Sequence, residues 1–381
     1  MKRNLNSEML HFMFESANMH RWNDHLRPLS LTEQDKQAHK AVIIWVLGKY
    51  DEDDGKKVDW KSMIEHSVFE FISRMALTDL KPELYHRIMS ESAEQANEFV
   101  MNEFKRRVPD MNPEFCERLR NYLQSKEKSR EDGIVEAAHY LATKWEFDII
   151  YKTNMGMFGV EQTKEKIYGK IEEHLGLHGV LKSLTHKGTG DFIDMCGQLR
   201  FQHRWARTPR IPKTTVLGHS LMVANAIFLH NLDVGASDEQ IYNDYYAALF
   251  HDLPEVLTKD VISPVKRNVE GLAEMLENIE KNLMESEIMP LLPTEWHKEM
   301  EFMFNDPFDD VDDPVFGKRR GSAIKSCDLL CAYIEACVSI RYGISPHALK
   351  EGVKDLRKSL EKTGGDIGAA ELIESFGRLK I

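Results

Sequence analysis

The chain contains 381 residues, of which 42% are hydrophobic and 29% are charged, a composition typical of folded globular proteins rather than of disordered chains. Its net charge of -12 argues against a chain-wide affinity for nucleic acid or for an anionic membrane. No apolar signal core follows the first residues and the apolar runs are too short to cross a bilayer, so we expect a cytoplasmic protein. The five cysteines form no C-x-x-C pair, which argues against a disulfide framework and a zinc knuckle.

Apolar residues recur at spacings of three and four along almost the whole chain, whereas the alternating pattern of strands is nearly absent. The periodicity therefore predicts an all-α protein. An acidic stretch at 306–313 is predicted to be a solvated loop. In chain order, the predicted helices that bear on function lie at 9–14, 133–149, 192–199, 215–232, 237–252 and 322–342.

The two halves of the chain resemble each other. The tetrapeptide Met19-His20-Arg21-Trp22 returns 183 residues later as Gln202-His203-Arg204-Trp205, and weaker matches follow in the same order. The weaker matches pair His39 with His219, His66 with His251, and residues 133–149 with 321–339. The pattern predicts two copies of one helical domain, at residues 1–185 and 186–381. A chance alignment of helical segments is the alternative.

The copies differ where chemistry would occur. Ser67 of the first copy stands opposite Asp252, and Tyr140 stands opposite Asp328. We therefore predict that the first copy is a degenerate domain without metal ligands and that the second copy is catalytic.

Four residues of the second copy suggest a metal site. Adjacent side chains on a regular helix diverge by about 100°, so His251 and Asp252 can face one site only where a helix ends, and Pro254 favours such a break. His219 and Asp328 lie on apolar helix faces, where a carboxylate is costly unless a cation or hydrogen bonds compensate it. Two imidazoles and two carboxylates suit Mn²⁺, Co²⁺, Fe²⁺ or Mg²⁺. The alternative is that each histidine is a hydrogen-bonded core residue.

A basic stretch precedes these residues. No acidic residue occurs from Phe201 to Leu232, although the whole chain is acidic. The basic side chains at its start are Arg204, Arg207, Arg210 and Lys213. Such a stretch beside a metal would attract a phosphate group, and a basic surface loop without a ligand is the alternative.

The order His219, His251-Asp252, Asp328 resembles the H…HD…D signature of the HD superfamily of metal-dependent phosphohydrolases. The run HDLPEVLTKD at 251–260, followed by SPVK at 263–266, is similar to the YfbR-type 5′-deoxynucleotidase branch. The similarity extends over about residues 192 to 342, and the first half matches only as a degenerate copy. The resemblance implies tandem HD-like helical bundles, of which the second is catalytic.

The resemblance also implies a reaction. The substrate would be a 2′-deoxynucleoside 5′-monophosphate, cut to deoxynucleoside and phosphate by a water that a divalent metal activates. The residues implied in catalysis are Glu255 as general acid or base, Asp252 and Arg204. The residues implied in substrate binding are Arg204, Trp205, Asp260 and Lys266. A structural alternative for Glu255 is a carboxylate that complements the dipole of the helix begun by Pro254.

Other interpretations stay open. The enzyme could instead hydrolyse a deoxynucleoside triphosphate, a cyclic dinucleotide or an alarmone, or the chain could be a non-catalytic nucleotide sensor or scaffold. A di-iron HD oxygenase would need further ligands, for which His230 is the nearby candidate. Related single-domain enzymes are dimers, so the first copy could replace a partner subunit, with a homodimer as the alternative. We expect no nucleic-acid polymer and no membrane as partner.

Overall fold

A computed structural model describes residues 2–78, 91–185, 187–259 and 271–379 of the chain. Within these residues the protein is helical, apart from one antiparallel pair of short strands, Asp310–Asp313 and Gly317–Arg320. The predicted all-α class is therefore confirmed. None of the helices in the described ranges is long and apolar enough to span a membrane.

The first of two compact units comprises the described residues among 1–177, residues 229–236 and a segment that starts at Glu371. The helix Glu33–Asp53 forms its centre and packs along Arg130–Asn154. Because the central helix is buried on all sides, its charged side chains require partners inside the protein. The helices of this unit are Ser7–Phe14, Glu33–Asp53, Trp60–Leu77, Ala93–Arg107, Pro113–Gln124, Arg130–Asn154, Val160–Glu172 and most of Ala369–Arg378.

The second unit comprises the described residues among 178–228 and 237–370. The helix Val216–Val234 is called the His219 helix, and it belongs to this unit as far as Phe228. The helix Gly321–Arg341 is called the Asp328 helix. The other helices of this unit are His178–Leu184, Thr189–Gln198, Asp238–Phe250, Glu255–Thr258, Leu272–Leu283, His297–Phe304 and His347–Thr363.

The chain bends at the predicted break after Phe250. The helix Asp238–Phe250 begins where Ser237 accepts a hydrogen bond from the Gln240 N–H, and it ends immediately before His251. A short helix, Glu255–Thr258, starts after Pro254. The predicted interruption is confirmed. Because the regular helix ends there, the side chains of His251 and Asp252 need not diverge by about 100°, as they would on a continuous helix.

The acidic stretch at 306–313 was expected to be a loop, and for its second half this prediction is wrong. Asp310 pairs with Arg320 in a two-stranded antiparallel ladder that leads directly into the Asp328 helix. The buried Arg319 guanidinium donates to the backbone carbonyls of Phe302 and, at 2.8 Å, Asp306, which supplies the acidic segment with a local cation. The strands therefore fix where the Asp328 helix starts.

We expect Gly321→Ala to destabilise the second unit by about 1–3 kcal/mol, the usual cost of overpacking. A Cβ at Gly321 would lie 2.2 Å from the Phe308 carbonyl carbon and 2.3 Å from backbone atoms of Asp309, and backbone cannot move aside as a flexible side chain can. The measurement is the urea midpoint of unfolding. The matched control is Gly133→Ala, in the helix Arg130–Asn154. A Cβ added there would meet no atom within 4 Å, so this substitution should keep or raise the free energy of unfolding. Equal midpoints for the two variants would contradict this account.

Candidate active site

The second unit brings the four residues with predicted metal-ligand chemistry together. His219 Nε2 lies 2.9 Å from Asp328 Oδ1, and His251 Nε2 lies 3.2 Å from Asp252 Oδ2. One ligand atom from each of His219, His251 and Asp252 lies within 4.8 Å of the others. Two helices and the break after Phe250 thus deliver imidazoles and carboxylates to one point.

The outer nitrogen of each histidine faces an oxygen atom. His251 Nδ1 lies 2.7 Å from the Ala248 carbonyl oxygen, which can only accept, so Nδ1 donates in this contact and Nε2 is the nitrogen that faces Asp252. His219 Nδ1 lies 3.4 Å from Glu335 Oε1. Metal-binding histidines are commonly oriented by a carbonyl or carboxylate behind the ring. The residues present therefore fit a divalent metal ion.

The electrostatics of this cluster also suit a cation. Burial opposes ionisation of Asp328, but Lys325 and His219 hold its pKa well below the usual range. Burial likewise opposes ionisation of Asp252, whose pKa is lowered by His251 and Arg204. Both carboxyl groups are therefore charged at neutral pH. Four carboxylates (Asp252, Glu255, Asp328, Glu335) lie here among three cations (Arg204, Arg210, Lys325). Burial opposes protonation of His219, but Asp328 and Glu335 raise its pKa.

A buried carboxylate that the sequence did not single out, Glu335, organises the neighbouring residues. Its Oε2 accepts a hydrogen bond from Trp205 Nε1 at 3.0 Å and lies 3.4 Å from Arg204 Nε. Its Oε1 accepts from the Thr214 hydroxyl at 2.9 Å. We call Glu335, Arg204 and Trp205 the second-unit clamp. The available signal was spacing, because Glu335 follows Asp328 by seven residues and therefore shares its helix face.

The clamp directs Arg204 towards the metal-ligand cluster. Arg204 Nη1 lies 3.6 Å from Asp252 Oδ2, and 15% of its side chain is exposed. Burial alone would lower the pKa of Arg204, but Glu335 and Asp252 raise it, so the guanidinium keeps its charge. Trp205 adopts a left-handed backbone with φ of 58°, and its half-buried ring takes up the space beside Gly352. An Arg and an indole thus border the cluster.

The remaining predicted residues are placed less closely. Glu255 is buried in the first turn of its short helix, and its charge raises the pKa of Arg204. Arg210 is buried and donates to the Thr214 hydroxyl, whereas Arg207 is exposed. His230 belongs to the first unit. The predicted substrate residues Asp260 and Lys266 lie outside the described residues. Of the basic residues between positions 204 and 213, Arg204 contacts the cluster in the part of the chain that the structure describes.

The second half of the chain matches a known protein family. Residues 191–366 match the family model described as 5′-deoxynucleotidase YfbR-like. The resemblance to the YfbR-type branch of the HD superfamily is thereby confirmed for these residues.

Similar proteins cover about half of this chain and most of their own length. A 5′-deoxynucleotidase of Pasteurella multocida is 28% identical over 199 residues, which are 49% of this chain and 94% of that protein. A 5′-deoxynucleotidase YfbR of Salmonella typhi is 27% identical over 195 residues, 49% of this chain and 91% of that protein. A solved structure of an HD-domain phosphohydrolase from Listeria innocua matches with a TM-score of 0.40 and 18% identity, over 49% of this chain and 86% of that one.

We expect Glu335→Ala to lower the stability of the second unit by about 3–5 kcal/mol, because it leaves the Arg204 cation in a buried site without its carboxylate. Glu335→Gln should cost less, since an amide oxygen still accepts from Trp205 Nε1. The measurement is the shift of the urea midpoint. Glu351→Ala, at an exposed carboxylate of the next helix, is the control and should leave the midpoint unchanged. A midpoint for Glu335→Ala equal to that of the control would rule out the clamp as a stabilising element.

Proposed function

We propose that the domain at residues 186–381 is a metal-dependent phosphohydrolase that releases phosphate from 2′-deoxynucleoside 5′-monophosphates. The observation that carries the proposal is the cluster of His219, His251, Asp252 and Asp328 beside the Arg204–Trp205 pair, within a YfbR-like region. The names of the similar proteins from Pasteurella multocida and Salmonella typhi, both 5′-deoxynucleotidases, support the substrate class.

We propose that His219, His251, Asp252 and Asp328 hold one divalent ion. Two imidazoles and two carboxylates favour Mn²⁺, Co²⁺, Fe²⁺ or Mg²⁺ over the thiolate-preferring metals. When bound, such an ion polarises a phosphoryl oxygen and makes a water molecule more acidic. The ionised carboxylates of Asp252 and Asp328 attract such an ion.

The side chains of this chain supply the remaining chemistry. In hydrolysis the water oxygen bonds to phosphorus, the bond from phosphorus to the 5′-oxygen breaks, and a proton must reach that leaving oxygen. Glu255 takes a proton from the water and returns one to the leaving oxygen. Arg204 neutralises the charge that develops on the phosphoryl oxygens, with Lys266 in an assisting role. Trp205 forms a flat wall against the sugar, and Asp260 contacts the free hydroxyl group of the sugar.

We expect metal-loaded protein to contain about one divalent ion per chain and to release inorganic phosphate from deoxynucleoside 5′-monophosphates. The assay is phosphate release from a nucleotide panel that also contains ribonucleotides, triphosphates and cyclic dinucleotides, with Mn²⁺, Co²⁺ and Mg²⁺ in turn. Pyrophosphate or tripolyphosphate as the product would favour another HD hydrolase. Nucleotide binding without turnover under any metal would favour a sensor or scaffold.

We expect Glu255→Gln to lower kcat by about 10²–10⁴-fold, the usual contribution of general acid–base catalysis, while metal content stays at the wild-type level. Arg204→Ala should in addition raise KM, because the guanidinium meets the phosphate before the reaction as well as during it. The measurements are steady-state kinetics and metal analysis of the same preparations. Arg357→Ala removes an exposed guanidinium elsewhere in the second unit and should change neither parameter. Loss of metal in Glu255→Gln would instead make Glu255 a ligand.

A further inference from the structure

The first unit contains a second clamp of the same composition. Arg21 Nε donates to Glu146 Oε2 at 2.7 Å, and Trp22 Nε1 donates to the same oxygen at 2.9 Å. Trp22 adopts a left-handed backbone with φ of 58°, the value found at Trp205. Glu146 is fully buried. We call Glu146, Arg21 and Trp22 the first-unit clamp.

The backbone around both clamps is hydrogen bonded in the same way. An isolated antiparallel bridge joins His20 to Thr32 in one unit and His203 to Thr215 in the other, 183 residues apart at both ends. The amide of the clamp arginine donates across this bridge at 2.8 Å in the first unit and at 3.0 Å in the second. Matching backbone geometry supports the predicted duplication and fixes its register.

With this register, the first-unit residues that correspond to the predicted metal ligands differ from those that the sequence comparison suggested. Lys36 N donates to Thr32 O at 3.2 Å, as His219 N donates to Thr215 O at 3.0 Å, so Lys36 and not His39 stands opposite His219. The His39 ring instead packs against Trp145, at a centroid distance of 5.1 Å.

The same reasoning applies to the second helix of each site. The clamp glutamates are 189 residues apart, and this offset places His139, not Tyr140, opposite Asp328. Lys36 Nζ lies 2.5 Å from His139 Nδ1, a contact that corresponds to the 2.9 Å contact between His219 and Asp328. A lysine side chain therefore occupies the position of a predicted metal-binding imidazole.

The ionisable groups around the two positions also differ. The first unit has three cations (Arg21, Lys40, Arg74) and three carboxylates (Glu33, Glu70, Glu146), and burial, together with Arg21 and Lys40, lowers the pKa of Lys36 well below its usual range. Burial lowers the pKa of His139 well below the usual range, and Lys36 and Lys40 lower it further, which indicates a positive potential at the ring. A divalent cation is disfavoured at such a place, whereas an anion is favoured.

The first-unit cluster is as accessible as its counterpart. The Arg21 side chain is 10% exposed and that of Arg74 is 20% exposed, against 15% for Arg204 and 19% for Asp252. Trp22 is half-buried, as Trp205 is. Partial exposure at the rim leaves the guanidinium groups within reach of a small ligand.

We propose that the first unit binds a nucleoside monophosphate without a metal and without hydrolysing it, with Arg21, Arg74 and Lys36 at the phosphate and Trp22 at the nucleoside. The inference rests on the proposed roles of Arg204 and Trp205, which the first-unit clamp repeats. Lys36 and His139 stand where the second unit has predicted metal ligands, so the phosphate is held directly by the guanidinium groups of Arg21 and Arg74 rather than through a metal. No water is activated there, because Lys36 and His139 replace two of the residues that would hold the metal.

The test is calorimetric titration of the full chain, stripped of metal with a chelator, with deoxyadenosine 5′-monophosphate and separately with inorganic phosphate. We expect one equivalent of nucleotide to bind, and to bind more tightly than phosphate because the indole adds contact area. Arg74→Gln and Lys36→Met should each weaken nucleotide binding at least ten-fold, whereas Arg204→Gln should leave it intact. Lys126→Met, at an exposed lysine of the first unit, is the matched control and should bind as wild type does.

Three results would overturn the inference. These are no nucleotide binding by the metal-free chain, binding that survives Arg74→Gln, and equal affinity for nucleotide and phosphate. Should Lys36→Met fail to fold, Arg74→Gln still decides, because its side chain lies at the rim. Hydrolysis by the metal-loaded wild type is measured separately. If the metal-loaded chain hydrolyses the nucleotide but the metal-free chain does not bind it, this inference fails and the proposed function stands. If the metal-free chain binds the nucleotide but the metal-loaded chain does not hydrolyse it, the proposed function fails and this inference stands.

Discussion

The carboxylate of Glu335 is the constraint on which the second-unit site depends. A charge buried in a protein must be matched by donors, and the donors here come from segments far apart in the chain: Arg204, Trp205 and Thr214. His219 Nδ1 lies 3.4 Å from the same carboxylate. The residues proposed to contact the substrate and a predicted metal ligand therefore lie on either side of one group.

Comparison of the units separates the clamp from the chemistry beside it. Glu146 holds Arg21 and Trp22 with nearly the same geometry, although the neighbouring residues are Lys36 and His139. The clamp is thus compatible with different groups beside it. The second unit places two imidazoles and two carboxylates there, whereas the first unit places Lys36 and His139 there.

Much of this could be predicted from the sequence where the signal is local. The helix end at His251, the Ser237 cap and the all-α class follow from proline, capping and periodicity. Glu335 was missed because its importance arises from partners more than 100 residues away. Pairing His39 with His219 matched histidine to histidine and ignored the backbone register, and a shift of three residues moves a side chain about 4.5 Å along the helix axis. The strand pair at Asp310 was missed because acidic residues are depleted in strands.

The left-handed conformation of Trp22 and Trp205 has a consequence for recognition. A bulky residue with positive φ is strained by on the order of 1–3 kcal/mol, and here the bridge and the glutamate hold it in place. The indole has therefore lost its torsional freedom when the chain folds, before any ligand arrives. Association then carries a smaller entropic penalty, and ligands that need a differently tilted ring are rejected by the rigidity of the wall rather than by a clash.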